Sequence, residues 1–287
     1  MRFARVEEGA ASPEGQPARR ISKAGTEPVE AAVPLEEPLA IELGGQLVAV
    51  LMRTPGDERA LAIGYCLSEG LIRSLGDVLL LHHCGSGEEE LLPPLPLAGG
   101  LLGGGNRVRI LLTPEARERP GAGRPARWVF SGCGGVDAAA LGAGLQVGRP
   151  ELRVAPEVLW GLVPAIAQAQ SAYRATGGIH AAALADATGR LLALSEDVGR
   201  HNAVDKVIGK ATLEGQPPAA ILVATGRASS DIVAKAARLG IPIVASFSSS
   251  TSLALRLAEA AGLTLAGYLR RNRLTVYTHP ERIASAT

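Results

Sequence analysis

Cysteine is scarce in this 287-residue chain: Cys66, Cys84 and Cys133 are too few and too scattered for a disulfide framework. Aromatic residues make up 3%, which leaves few rings on which the bases of a nucleic-acid single strand could stack. Lysine is nearly missing, since among 29 Lys and Arg residues the lysines are only Lys23, Lys206, Lys210 and Lys235. The positive charge is therefore arginine, whose planar fork suits phosphate recognition. A net charge of +1 excludes nucleic-acid binding by bulk charge. No apolar run reaches the roughly 18 residues that cross a bilayer. Residues 1–8 lack the apolar core of a secretory signal, so a cytoplasmic protein is expected. What is present is ordinary for a soluble globular chain, 47% hydrophobic and 20% charged, long enough for one large or two modest domains.

Residues 1–34 are rich in Pro, Gly, Glu, Arg and Ala without periodicity and read as a mobile tail. Two apolar-alternating runs around Gly44-Gly45 predict a hairpin over 39–51, and the apolar spacing of 59–69 predicts a helix. Cys66 falls on the apolar face of that helix and reads as a packed core thiol. Residues 78–83 predict a strand that ends in His82, His83 and Cys84. Neighbouring strand side chains point to opposite faces, so these three are not expected to converge on a metal ion. A Pro- and Gly-rich surface loop over 85–106, a strand over 107–113 and a linker over 114–127 follow.

Ser131-Gly132-Cys133-Gly134-Gly135 is chemically loaded. Successive glycines allow backbone amides to converge into an anion-attracting nest, where a thiol is stabilised as thiolate and made nucleophilic. A small residue in a tight turn is the plain alternative. A long amphipathic helix is predicted over 156–173. Thr176-Gly177-Gly178 then delivers His180 to a strand over 181–185, either as a satisfied core histidine or as a functional one. From 202 onward helix and strand alternate, with both faces of the strands apolar, as in central strands covered on two sides. Arg227 and Ser229 lie where one strand opens into a helix, and Ser248 to Ser252 repeat the arrangement at the next junction. Each could be an ordinary helix cap. Two such loops at one sheet edge would instead form a single crevice for phosphates. Tyr268-Leu269-Arg270-Arg271-Asn272-Arg273 is either a solvated turn or a phosphate grip with a stacking ring.

The densest stretch is Ser195-Glu196-Asp197-Val198-Gly199-Arg200-His201-Asn202-Ala203-Val204-Asp205-Lys206, which packs acid, base, imidazole and amide groups between two apolar elements. Such loops often carry binding and catalytic groups. The competing reading is a helix start capped by Asp197 or Asn202, with solvated charges.

The run from Glu196 to Lys206 resembles the signature of the FdhD family, the formate dehydrogenase accessory sulfurtransferases. The resemblance extends to Met52-Arg53-Thr54-Pro55-Gly56-Asp57, to Thr176–Leu184 and to Gly226-Arg227-Ala228-Ser229, and it spans about residues 35–283. Beyond the tail over 1–34 it implies an α/β fold: a smaller α+β N-terminal domain over 35–127 and a three-layer αβα domain of cytidine-deaminase type over 128–287. It also implies a homodimer and a sulfurtransferase that takes sulfur from a cysteine desulfurase as a persulfide on Cys133. The recipient is the molybdenum bis(molybdopterin guanine dinucleotide) cofactor of a formate dehydrogenase, bound as cargo by the segment Tyr268 to Arg273. Arg227, Ser229, His180, Arg200 and His201 are implied as further cargo contacts. The family usually carries a second cysteine three positions on, where this chain has Val136. That departure raises the alternative of a cofactor-carrying chaperone without sulfur chemistry. Zinc deamination is not expected, because Ala182 stands where the deaminase pattern needs its glutamate, and no cysteine pair follows.

Overall fold

The computed structural model of the chain describes residues 13–84, 106–119, 127–129 and 145–284. Strand pairing starts earlier than the composition suggests. Glu14–Ser22 (β1) and Gly25–Val33 (β2) form an antiparallel hairpin, which corrects the reading of a tail for that part of 1–34. Its two-residue turn makes Ser22 and Gly25 a hydrogen-bonded pair. Pro17 and Pro28, opposite Glu30 and Arg19, then fall on non-hydrogen-bonded pairs, where a missing N–H removes nothing from the ladder.

Glu37–Leu43 (β3) and Gln46–Arg53 (β4) pair around Gly44 and Gly45, both at positive φ, as the glycine turn predicts. Helix α1 (Glu58–Ser68) follows, and Val78–Cys84 (β5) and Arg107–Leu112 (β6) extend the same sheet. His82 and His83 do alternate, opposite Arg109 and Val108. The linker reading over 114–127 fails at both ends. Thr113 caps a short helix, α2 (Pro114–Arg117), by accepting the Ala116 N–H at 3.2 Å, and Arg127–Val129 (β7) pairs in parallel with β4. The five-stranded sheet runs β5-β6-β3-β4-β7.

The single helix expected over 156–173 is two, α3 (Pro156–Ala169) and α4 (Ser171–Thr176), broken at Gln170. The break has a tertiary cause. Glu196 accepts the N–H groups of Ala172 at 2.9 Å and Tyr173 at 2.8 Å, which caps a new helix start there. The remainder is β8 (His180–Ala185), β9 (Leu191–Asp197), α5 (Arg200–Leu213), β10 (Ile221–Ala224), α6 (Ser230–Arg238), β11 (Ile243–Ser246), α7 (Ser252–Ala261), β12 (Thr264–Arg270) and β13 (Arg273–Thr278). These strands form a six-stranded sheet, β13-β12-β11-β10-β8-β9, in which β10, β11 and β12 are parallel.

Both faces of this sheet are covered. Leu159, Leu162 and Ile166 of α3 pack on Ala183, Ile221, Val223 and Ile243. On the opposite face, residues of α5, α6 and α7 pack on Ala182, Leu222, Val244 and Leu265, in one core shared with Leu39, Ile41 and Leu51 of the smaller sheet. Helices α1 and α5 join the two sheets, and they cross at glycines. A Cβ on Gly64 would collide with the Asp205 carbonyl, and one on Gly209 with that of Ala60. Sandwiched in this way, α5 is buried almost all round, His201 to Gly209 without interruption.

Candidate functional site at the carboxyl edge of the large sheet

Because β10 and β11 are parallel, their following loops leave the same edge of the sheet, as the crevice reading requires. Backbone hydrogen bonds lace these loops together: Ala228 N–H to Ser249 O at 3.1 Å and Thr251 N–H to Ala228 O at 3.2 Å. The Ser246 hydroxyl donates to Gly226 O at 2.7 Å and accepts from Ser248 N–H at 2.9 Å. The third parallel strand joins through Tyr268 N–H to Ser248 O at 2.9 Å, and through Arg270 Nη1 to Phe247 O at 2.6 Å. Three consecutive strand ends thus form one ledge.

Two residues from other elements reach this ledge. Arg200 opens α5 and His180 opens β8, and both lie against Gly226. A Cβ there would stand 3.1 Å from Arg200 Cβ and Cδ and 3.3 Å from His180 Cε1, so glycine permits the close approach. On the outer side, Tyr268 adopts a left-handed backbone, φ 51°, at a register shift in β12, and its ring is exposed. Arg227, Arg270, Arg271, Asn272 and Arg273 are exposed as well.

Burial, together with the neighbouring Arg200, holds the His180 imidazole below its ordinary pKa, against the pull of Asp197. Burial also pushes His201 down to about 3, aided by Arg200, Lys235 and His180. Both rings are therefore neutral at pH 7, and Arg200 carries the cationic charge between them. His201 Nε2 sits 3.2 Å from Ser229 Oγ and 3.5 Å from Asp231 Oδ2. The unfolded chain protonates this histidine near its ordinary value of 6.5, whereas the folded chain resists until about 3. His201 therefore contributes stability that is present above pH 6.5 and is lost as the pH falls toward 3. Urea unfolding at pH 7 and pH 4.5 checks this: the native chain is expected to lose about 2 kcal/mol more than His201→Gln over that interval.

The stretch from Ser195 to Lys206 departs from the reading of a capped helix start with solvated charges. Ser195, Glu196 and Asp197 complete β9, and Gly199, not Asp197 or Asn202, is the N-cap of α5. Its charges are not solvated. Asp197, at 0% exposure, accepts from Gly199 N–H (2.8 Å), Asn202 Nδ2 (3.1 Å), Thr54 N–H (3.1 Å) and Lys206 Nζ (2.8 Å). Lys206 Nζ also donates to Thr54 O at 2.7 Å, Asn202 Nδ2 to Met52 O at 2.7 Å, and Val198 N–H to Thr54 Oγ1 at 3.1 Å. Most of the stretch is thus a clamp on the end of β4, and Glu196 is the cap of α4. Only Arg200 of this run stands at the ledge itself.

A second buried network lies behind the first. Lys235 binds Asp205 at 2.8 and 2.9 Å, Ser68 Oγ at 2.8 Å and Glu69 at 3.0 Å. Burial works against the Lys235 ammonium, yet Asp205 and Glu69 outweigh it and hold its pKa up.

The FdhD/NarQ family model matches residues 34–284. The chain belongs to this family. It is 38% identical to the sulfur carrier protein FdhD of Anaeromyxobacter sp. (strain K), over 96% of each chain. With the protein of the same name from Saccharolobus solfataricus it shares 39% identity, over 88% of this chain and 90% of that one. Its fold superposes with a TM-score of 0.75 on a crystal structure assigned to a formate dehydrogenase accessory protein from Desulfotalea psychrophila, at 26% identity, covering 96% of this chain and 100% of that one.

Within this FdhD/NarQ chain the predicted site residues separate. His180 and Arg200 lie against Gly226, next to Arg227 and Ser229, while Tyr268 and Arg270 bond the loop after β11 further along the same edge, with Arg271, Asn272 and Arg273 on the turn beside it. Leu269 does not present its side chain there, because it is sealed at 0% exposure in the α3-side core. His201 is buried one layer behind Ser229 and touches the ledge only through that hydroxyl. Cys133 lies outside the described residues, in the segment that follows β7. Sequence reasoning missed Ser246, which ties the first two loops, and the role of Thr54 in the clamp. The one available signal was the pairing of the Met52–Asp57 motif with the Glu196–Lys206 motif.

Proposed function

We propose that this chain is a sulfur carrier that accepts sulfur on Cys133 from a cysteine desulfurase and passes it to the molybdenum bis(guanine dinucleotide) cofactor of a formate dehydrogenase. Family membership and the names of its relatives support the sulfur role. The observation that carries the cargo reading is the ledge. A glycine-lined edge with two strand–helix loops, a half-buried Arg200, an exposed ring and exposed arginines is suited to a dinucleotide. On this reading Arg227, Arg270, Arg271 and Arg273 take the phosphates, which are acceptors matched to guanidinium forks. Tyr268 offers a face to the purine. The neutral His180 can give or accept one hydrogen bond beside Arg200 without adding charge. The layering of α3, the large sheet and α5–α7 is read here as the cytidine-deaminase arrangement put to a different use.

In the transfer itself, the Cys133 thiolate attacks the outer sulfur of the donor's persulfide. A new S–S bond forms at Cys133, the old one breaks, and the donor leaves as thiolate. Releasing that outer sulfur as sulfide consumes two electrons, which a second thiol supplies by forming a disulfide with Cys133. With Val136 at the usual second position, that thiol is not the near neighbour. Nor is it Cys66, at 0% exposure and with its thiol pushed far up by burial. An external thiol, or Cys84 at the end of β5, remains for the step.

Incubation with a cysteine desulfurase and cysteine, followed by mass spectrometry of cysteine peptides, tests this. The Cys133 peptide is expected to gain one sulfur and the Cys66 peptide none. Cys133→Ala is expected to lose formate dehydrogenase activation by about a hundredfold or more, while Cys66→Ala retains it. The absence of Val136's usual cysteine favours a second reading, a cofactor chaperone without sulfur chemistry. An unmodified Cys133 peptide together with retained guanine nucleotide binding would select it.

A further inference from the structure

The serine that opens α6 does not cap it. Ser229 is the N-cap residue, yet its side chain makes no capping bond, and its hydroxyl sits instead 3.2 Å from His201 Nε2. The same nitrogen lies 3.5 Å from Oδ2 of Asp231, in the first turn of that helix. One imidazole nitrogen therefore faces a hydroxyl and a carboxylate together. His201 is 5% exposed, and burial, with Arg200, Lys235 and His180, pushes its pKa down to about 3, so the ring is neutral. A neutral imidazole carries its proton on one nitrogen only, and the neighbours decide which. Burial raises the Asp231 pKa, with Lys235 the main opposing influence, and as a carboxylate Asp231 can only accept. Were Nε2 the bare nitrogen, its lone pair would confront that oxygen. A proton on Nε2 removes the repulsion. Ser229 Oγ then receives the N–H, and its own O–H is left to turn outward. In the other tautomer the hydroxyl would give its proton to Nε2 and offer the ledge only lone pairs.

We infer that Asp231 is a positioning residue: acting through His201, it makes the Ser229 hydroxyl a donor toward the ledge, which selects an anionic oxygen such as that of a phosphate. The inference rests on the proposed cargo site but not on sulfur transfer. Ser229 is only partly buried and stands two residues after the exposed Arg227, so donor and positive charge share one loop. The three residues do not form a nucleophile triad. His201 meets both partners through one nitrogen, whereas a base oriented by its acid uses two, and its lowered pKa makes it a poor proton acceptor. Two plainer roles for Asp231 differ in sign. A first-turn carboxylate favours its helix, so losing it costs stability whatever happens to binding. A negative charge beside the ledge also repels an anion, so Coulomb's law alone has Asp231→Asn bind nucleotide more tightly. Positioning has it bind more weakly, because asparagine can turn its NH2 toward Nε2, move the imidazole proton to Nδ1 and draw the serine's donor inward.

The test uses the full chain, with the Kd of guanosine diphosphate measured by calorimetry and the histidine tautomers read by nitrogen NMR. Ser229→Ala is expected to weaken binding about tenfold, the effect of one hydrogen bond to a charged group. Asp231→Asn is expected to weaken it about fivefold when Ser229 is present, and to leave it within about twofold or tighten it when residue 229 is alanine. In the native chain the spectra are expected to show His201 protonated at Nε2, a measurement that needs no variant to fold. Protonation at Nδ1 in the native chain, a native Kd in Ser229→Ala, tighter binding in Asp231→Asn, or equal weakening with and without the Ser229 hydroxyl overturns the positioning role alone. Failure of the native chain to bind the diphosphate overturns the cargo site together with it.

Discussion

Gly209→Ala is expected to leave little folded protein, with a loss of about 4 kcal/mol or more of unfolding free energy. The added methyl would occupy the place of the Ala60 carbonyl, and Gly64→Ala would do the same to Asp205. Neither obstacle is a flexible side chain that could swing aside. To admit one carbon the two helices must part, and α1 and α5 lie between both sheets in a single core. Separating them opens voids around Ala203, Val207 and Ile63, all at 0% exposure. Urea unfolding followed by circular dichroism measures the effect, provided any soluble protein is recovered. Stability within 1 kcal/mol of the native chain would show that the helices can separate without that loss.

Lys206→Met is the second large effect, about 3–5 kcal/mol, because it strands the Asp197 carboxylate in the interior without its cation. Asp197 would keep three N–H donors, from Thr54, Gly199 and Asn202, while the Thr54 carbonyl would lose its ammonium partner. Removing both charges is less harmful than removing one. The double variant Asp197→Asn with Lys206→Met is therefore expected to recover about 2 kcal/mol relative to the sum of the single losses. Chemical denaturation of the four proteins in this cycle gives the coupling directly. Additive losses would mean that the pair acts as two independent packing residues.

Much of the architecture was legible because it is written in local patterns. The glycine turn over 44–45, the apolar face of 58–68 and the alternation after residue 200 all have periods that survive into the fold. The ledge was legible for the same reason, since parallel strands oblige their loops to one edge. What escaped depends on partners distant in sequence. Nothing near Gln170 announces a helix break, because the carboxylate that causes it belongs to Glu196. The clamp likewise joins Asp197 to Thr54 across 143 residues.

Leu269 was misplaced for a subtler reason. In an unbroken β12 it would share a face with Leu265, toward α5–α7, but the shift at Tyr268 inserts a bulge and turns Leu269 toward α3. The lysines carry a signal that a composition count hides. In a chain that mostly uses arginine, two of its four lysines, Lys206 and Lys235, sit against the most enclosed described carboxylates, Asp197 and Asp205, where a compact ammonium fits among several acceptors. A rare residue inside a buried helix was a mark of burial.

The amino-terminal ribbon offers a last consequence. Its first strand is exposed along its whole length, Ile21 at 80%, and such a bare ladder would ordinarily invite a neighbouring molecule to add a strand. With one imino acid on each outer rim, Pro17 and Pro28, either side presents a gap in its row of donors. The ribbon can therefore lie in a concentrated solution without seeding sheet growth from molecule to molecule, while one face of its second strand, at Val29, Ala31 and Val33, is partly covered.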